Sequence, residues 1–146
     1  MKSKLLFEEN GLQTFILVFD KDEDLKQPLL TFAGKKSLSA AQLTAIGAFS
    51  EVTLGYFDRR TKTYQPIRIQ EQVEVLSFVG NITCRENEPK LHAHVVVGKS
   101  DGTAYGGHFL QGKIWPTLEM IISEAPQHLR RVQDEETGLA LINLAA

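Results

Sequence analysis

Residues 91–110, LHAHVVVGKSDGTAYGGHFL, decide the fold, and they hold three of the chain's four histidines. A strand sends successive side chains to opposite faces, so His92, His94 and Val96 share one face while Ala93, Val95 and Val97 share the other. Ser100-Asp-Gly102 is a turn signal, and the residues after it return as the second strand of an antiparallel hairpin. Register decides where His108 points. A two-residue turn at Asp101-Gly102 pairs Val95 with His108 and sends that ring to the far face. A three-residue loop over 100–102, with Gly102 left-handed, pairs His94 with His108 and gathers all three imidazoles. The three-residue loop is the preferred reading, and a bulge at Gly106-Gly107 would shift it.

Three neutral imidazoles on one face, with a fourth position open, suit zinc and also iron, copper or nickel. The competing reading makes them polar residues of a core or an interface, each satisfied by a carboxylate or a backbone carbonyl. Gly106 and Gly107, just before His108, remove side chains where backbone or ligand can approach closely. Glu74 and Glu119 each interrupt an apolar strand. From there a carboxylate could orient a ligating imidazole or act as a general base beside metal-bound water.

Outward from the hairpin, Thr14–Phe19 reads as a buried strand that leads into an exposed connection at Asp20–Asp24. Residues 1–12 read as an N-terminal arm or first strand. Ser39-Ala-Ala-Gln42 has capping-box spacing, and Leu43, Ile46 and Phe49 recur on one face, which predicts a helix. VTLGYFD (52–58), YQPIRIQ (64–70) and VEVLSFVGNI (73–82) are β-rich runs separated by polar breaks. Trp115-Pro116 predicts a break before a further strand at Thr117–Ile122. Residues 126–146 offer a polar turn and a short C-terminal strand. His128, beside Pro126, is expected in an exposed loop outside any site.

The 146 residues, 42% of them hydrophobic, supply one domain's core. A net charge of -2 and a pI near 6.1 give no overall pull toward nucleic acid or anionic lipid. The pairs Lys35-Lys36, Arg59-Arg60 and Arg130-Arg131 are scattered among acids, as on solvated faces. Cys84, the single cysteine, has no partner in the chain, and a reducing, cytoplasmic setting is expected. The apolar runs are shorter than the roughly 20 residues that span a bilayer, and MKSKLLFEEN lacks a signal-peptide core. Gly98-Lys-Ser100 fails as a phosphate loop, because Ala93 stands where a glycine is required and a strand follows.

The ordered motifs GAFSEVTLGYFD, EVLSFVGNI, LHAHVVVG, DGTAYGGHFL and Trp115-Pro-Thr-Leu-Glu119 carry a resemblance over nearly the whole chain. The sequence resembles the PPC domain of plants and prokaryotes in its short, stand-alone prokaryotic form. The resemblance implies an α+β fold with a large, mostly antiparallel sheet and few helices, assembling as a homotrimer. It also implies that His92, His94 and His108 occupy positions where some prokaryotic members hold zinc. The family carries a DNA-binding label, but in the plant proteins the DNA contact belongs to an Arg-Gly-Arg-Pro hook, and this chain has no Arg-Gly-Arg. A trimer would still gather three copies of the basic loop Asp58–Thr63. Two functions follow as expectations: a trimeric regulatory or assembly protein with a metal site and DNA association, or a small zinc-dependent enzyme built on the same histidines.

Overall fold

The computed structural model describes residues 1–145, which form nine strands and one helix. In chain order these are β1 (Lys2–Glu9), β2 (Leu12–Asp20), α1 (Lys26–Lys35), β3 (Ala40–Asp58), β4 (Thr63–Ile69), β5 (Val73–Arg85), β6 (Glu88–Gly98), β7 (Ala104–Glu124), β8 (Arg130–Gln133) and β9 (Ala140–Asn143). All pairings are antiparallel except a single parallel contact between β5 and β8, at Cys84 and Arg130. The class is therefore α+β, with one large mixed sheet.

Four strands close on themselves. β3 pairs with β5 on one side and β7 on the other, and β6 joins β5 to the first part of β7. Closing the sheet removes exposed edges and gives each ring strand an inner and an outer face. Phe78 packs edge-on against Phe109, which stacks on Phe49, and Val95 and Val97 fill the same interior. On β6 the alternation is that expected from sequence: Ala93, Val95 and Val97 are buried, while His94 and Val96 face outward. Helix α1 covers another part of the sheet with Leu29, Phe32 and Ala33, and Phe32 meets Phe15 of β2 edge-on.

The helix expected from Ser39 onward is instead the first half of β3. Ala41, Leu43 and Ala45 are buried while Gln42, Thr44 and Ile46 are exposed, a period of two. A register shift between Ala45 and Gly47 brings Ala48 and Phe49 inward together. Leu43 and Phe49, an even number of residues apart, are both buried while Ile46 between them is exposed, so the three-residue spacing of Leu43, Ile46 and Phe49 imitates a helix face without forming one. Nor does Ser39 cap anything. Its hydroxyl and amide donate to Glu124 Oε1, a carboxylate buried beneath the start of β3, and the hydroxyl also meets His128 Nδ1.

The real helix has its own signals: Asp24 Oδ1 accepts the amides of Lys26 and Gln27, Pro28 stands in the first turn, and Leu29, Phe32 and Ala33 follow helical spacing. The break expected at Trp115-Pro116 is also absent, since β7 runs through it. Pro116 falls where β7 skips its ladder with β3, between the pairs Phe49–Ile114 and Gly47–Leu118, and just before pairing with β2 begins at Thr117. A missing N–H there costs no ladder bond. Thr117–Ile122 is the later part of the same strand. The C-terminal segment forms two short strands, and β1 pairs with β2 as an exposed hairpin arm.

Candidate metal centre

The hairpin register places the histidines. Gly98 pairs with Ala104 and the ladder continues without a shift to His94 opposite His108. Gly102 takes a left-handed φ of 84° inside the three-residue loop. On the flanking strands Asn81 stands opposite His92, Val79 opposite His94, and Gly55 opposite His108. The three ring centroids are 5.3–5.4 Å apart, and one nitrogen from each ring lies within 4.8 Å of the others. Tetrahedral zinc with Zn–N bonds near 2.0–2.1 Å needs nitrogens about 3.3 Å apart, a closure within reach of small side-chain rotations.

Neighbours from distant parts of the chain hold the rings. Tyr64 of β4 stacks on His108 at 4.3 Å. It can lie there because Gly55 beside it has no side chain, and a Cβ at that position would stand 2.8 Å from the tyrosine ring. Arg131 of β8 donates through Nε to Thr83 Oγ1 (2.7 Å), through Nη1 to the Ala140 carbonyl (2.7 Å) and through Nη2 to Asn81 Oδ1 (2.8 Å). The same Nη2 faces His92 Nδ1 across a long 3.4 Å. Sequence reading assigned Arg131 to a solvated face and did not single out Tyr64. Nothing local marks either residue, because each reaches the rings only through strand packing.

Glu74 and Glu119 do not join the cluster. Glu74 is exposed at the start of β5, opposite Gly98 and Ala48. Glu119 is exposed on β7, paired with Val18 and Ile46, about 35 Å of extended strand beyond His108. Gly107 is a close approach, since a Cβ there would lie 3.0 Å from the Gly55 carbonyl; one on Gly106 would meet Val96 at an ordinary 3.5 Å. His128 is exposed, away from the rings.

Electrostatics favour the neutral form of His92 and His108, the form that binds metal. Burial, then the charges of His92, His94 and Lys26, pushes His108 down to about 4. Burial and then Arg131 and His94 lower His92. His108 Nδ1 is buried without a hydrogen-bond partner, a loss costing about 1–3 kcal/mol unless something supplies a contact. The donor set, its protonation and this orphaned nitrogen all fit a divalent transition metal.

A prediction follows for the metal-free protein. Both folded-state values lie below the ordinary 6.5, so the unfolded chain takes up protons that the folded chain refuses. Stability is then complete above about pH 6.5 and falls as pH drops toward about 4. Melting temperatures of chelator-treated protein between pH 7 and pH 4.5 should show this loss, and His108→Gln should reduce it. An equal loss in that variant would assign the effect to other groups.

A ring of antiparallel strands that displays three imidazoles on its outer wall, held by an arginine and a tyrosine from flanking segments, defines a small β-rich domain with a facial three-histidine cluster. The chain belongs to the Plants and Prokaryotes Conserved (PCC) domain family, whose profile matches residues 6–126. It is 32% identical over 131 residues to the bifunctional protein GlmU of Synechococcus sp. (strain JA-3-3Ab), a match covering 88% of this chain and 20% of the relative. The chain thus spans about a fifth of the length of the curated relatives it matches. Among solved structures, it resembles a metal-containing protein of Archaeoglobus fulgidus (33% identity, TM-score 0.84, 98% of this chain and 99% of that one). It also resembles a candidate DNA-binding protein of Ralstonia eutropha JMP134 (27% identity, TM-score 0.82, 89% and 90%).

Proposed function

We propose that this chain is a metal-dependent binding protein of the cytoplasm, homotrimeric and regulatory, in which His92, His94 and His108 hold zinc or another divalent transition metal with one coordination position open. The observation that carries this reading is the convergence of three imidazoles, one with an orphaned buried nitrogen, on a single outer face. The Archaeoglobus fulgidus relative, described as metal-containing, supports it. The metal would act there as a Lewis acid that takes up a ligand's oxygen. Tyr64 would fix the orientation of the His108 ring, and the strand pairing would fix the spacing of all three. No carboxylate belongs to the cluster among the described residues, so the glutamate-assisted hydrolysis of the enzymatic alternative lacks its proton carrier. Elemental analysis of the untagged protein should find near-stoichiometric metal. Its absence, even after zinc is added, would end this reading.

DNA association is a second reading, supported by the description of the Ralstonia relative and by the loop between β3 and β4, where Arg59, Arg60 and Lys62 are exposed. With so few basic groups per chain, duplex binding should be weak at low salt and fall steeply with salt, by roughly 0.9 logarithmic units per phosphate contact for each tenfold rise. Fluorescence anisotropy with a labelled duplex checks this. No binding at low ionic strength removes DNA from the function.

A further inference from the structure

Beside the histidines lies a cleft of ≈ 210 Å³, walled by the cations Arg85, Lys90 and Arg131 and by the apolar side chains of Leu91, Leu139 and Leu141. Among the described residues no aspartate or glutamate lines it. Arg85 has a partner, Glu86, at 3.5 Å, and Lys90 is exposed at the rim. Arg131 is different. It is half-buried, its hydrogen bonds go to neutral acceptors, and among the described residues it makes no ion pair with a carboxylate. Charged side chains withdrawn from water are ordinarily paired. A divalent ion on three neutral imidazoles would add two further positive charges that the surrounding protein does not offset.

The contact between Arg131 and His92 sharpens the point. A guanidinium only donates, so Arg131 Nη2 facing His92 Nδ1 at 3.4 Å requires the lone pair on that nitrogen. A metal-bound imidazole gives one lone pair to the metal and carries a proton on its other nitrogen. If Nε2 binds the metal, Nδ1 carries the proton and can no longer accept from Arg131. If Nδ1 binds, the metal takes the lone pair. Either way, loading the site would release one half-buried Nη2 N–H in the lining of the cleft.

Building on the metal reading, we propose that this cleft is a metal-dependent site for a small organic carboxylate, with one oxygen on the metal and the carboxylate also accepting from Arg131. The planar guanidinium matches a carboxylate. The leucine wall gives a short carbon skeleton a surface to cover, for which inorganic phosphate has no use. The volume, below the usual range for pockets of drug-sized ligands, limits that skeleton to a few carbons.

The test uses the full chain loaded with Co2+, whose visible absorption reports its coordination shell, titrated with 2-oxobutyrate and separately with inorganic phosphate. Metal content is measured in parallel. A saturable band shift with 2-oxobutyrate and a much weaker response to phosphate is the expected result. Arg131→Met should still take up cobalt, read as metal content, and should weaken 2-oxobutyrate by about tenfold or more, the scale of a charged hydrogen bond. Because Arg131 also ties β8 to β5, Lys90→Glu serves as a second variant; it changes an exposed side chain and should weaken binding several-fold through charge alone. Cobalt bound with no response to 2-oxobutyrate overturns the carboxylate site and leaves the metal centre standing. Equal responses to phosphate and 2-oxobutyrate, or binding that persists without metal, also overturn it. Failure to bind cobalt at all is a distinct result, because it defeats the metal centre beneath the proposal.

Discussion

Replacing His92, His94 and His108 together by alanine is expected to leave a folded protein that retains no metal, and His94→Ala alone is expected to cut metal content at least tenfold. The physical basis is that three imidazoles supply every protein ligand at this centre, since no other histidine, cysteine or carboxylate joins the cluster among the described residues. Even changes to residues that merely support ligands typically cost about 10–100-fold in affinity, so removing a ligand should cost more. The fold should survive. His94 is exposed on the outer wall of the ring, His92 and His108 are only partly enclosed, and the core lies on the opposite face of the same strands. Plasma mass spectrometry of purified variants, with circular dichroism as the control for folding, decides the matter. Unchanged metal stoichiometry in His94→Ala would place the ion elsewhere.

Gly80→Val is expected to damage both the fold and the site. Gly80 sits on β5 between the partners of His92 and His94, opposite Ala93. A Cβ there would lie 2.5 Å from the His92 carbonyl oxygen, 2.7 Å from Ala93 Cβ and 2.9 Å from Ala93 Cα. Two of these are backbone atoms held in the ladder, so the overlap is relieved only by pushing β6 away from β5. Overpacking of this kind costs typically 1–3 kcal/mol, and with backbone as the obstacle about 2–3 kcal/mol is expected. The same displacement moves His92 and His94 relative to His108, so metal affinity should fall with stability. Gly106→Ala, on β7, makes the control, because its Cβ meets Val96 at 3.5 Å and the Val95 carbonyl oxygen at 3.6 Å, both ordinary contacts, and its stability should stay within about 1 kcal/mol of the parent. Chemical denaturation of both variants gives the comparison. A Gly80→Val protein as stable as the parent would show that β5 and β6 can separate freely there.

The hairpin was fully legible in the chain. Strict alternation from His92 to Val97 set the faces, and Ser100-Asp-Gly102 set a loop whose length brought His94 opposite His108. The error at Ser39–Phe49 arose because Leu43, Ile46 and Phe49 were read as one face: Ile46 is in fact exposed, and the period of two is carried by Ala41 and Ala45, which are small but buried. Helix α1 carried its own signals in Asp24, read only as part of an exposed connection, and in Pro28, Leu29, Phe32 and Ala33, which stood in a stretch assigned to no element.

By itself, then, the sequence determined the elements whose information is local: the period of a strand, the length of a turn, and three imidazoles on one face of a hairpin. Only the tertiary structure decided what surrounds those rings. Arg131 approaches His92 from 39 positions away, Tyr64 reaches His108 across the gap left by Gly55, and Glu74 and Glu119 fall on remote, exposed positions. The reason is physical. Periodicity and turn chemistry are properties of neighbouring residues, whereas the partners of a side chain on a sheet's outer wall are set by how the strands close into a ring and where the flanking segments cross it, which no short stretch of sequence contains.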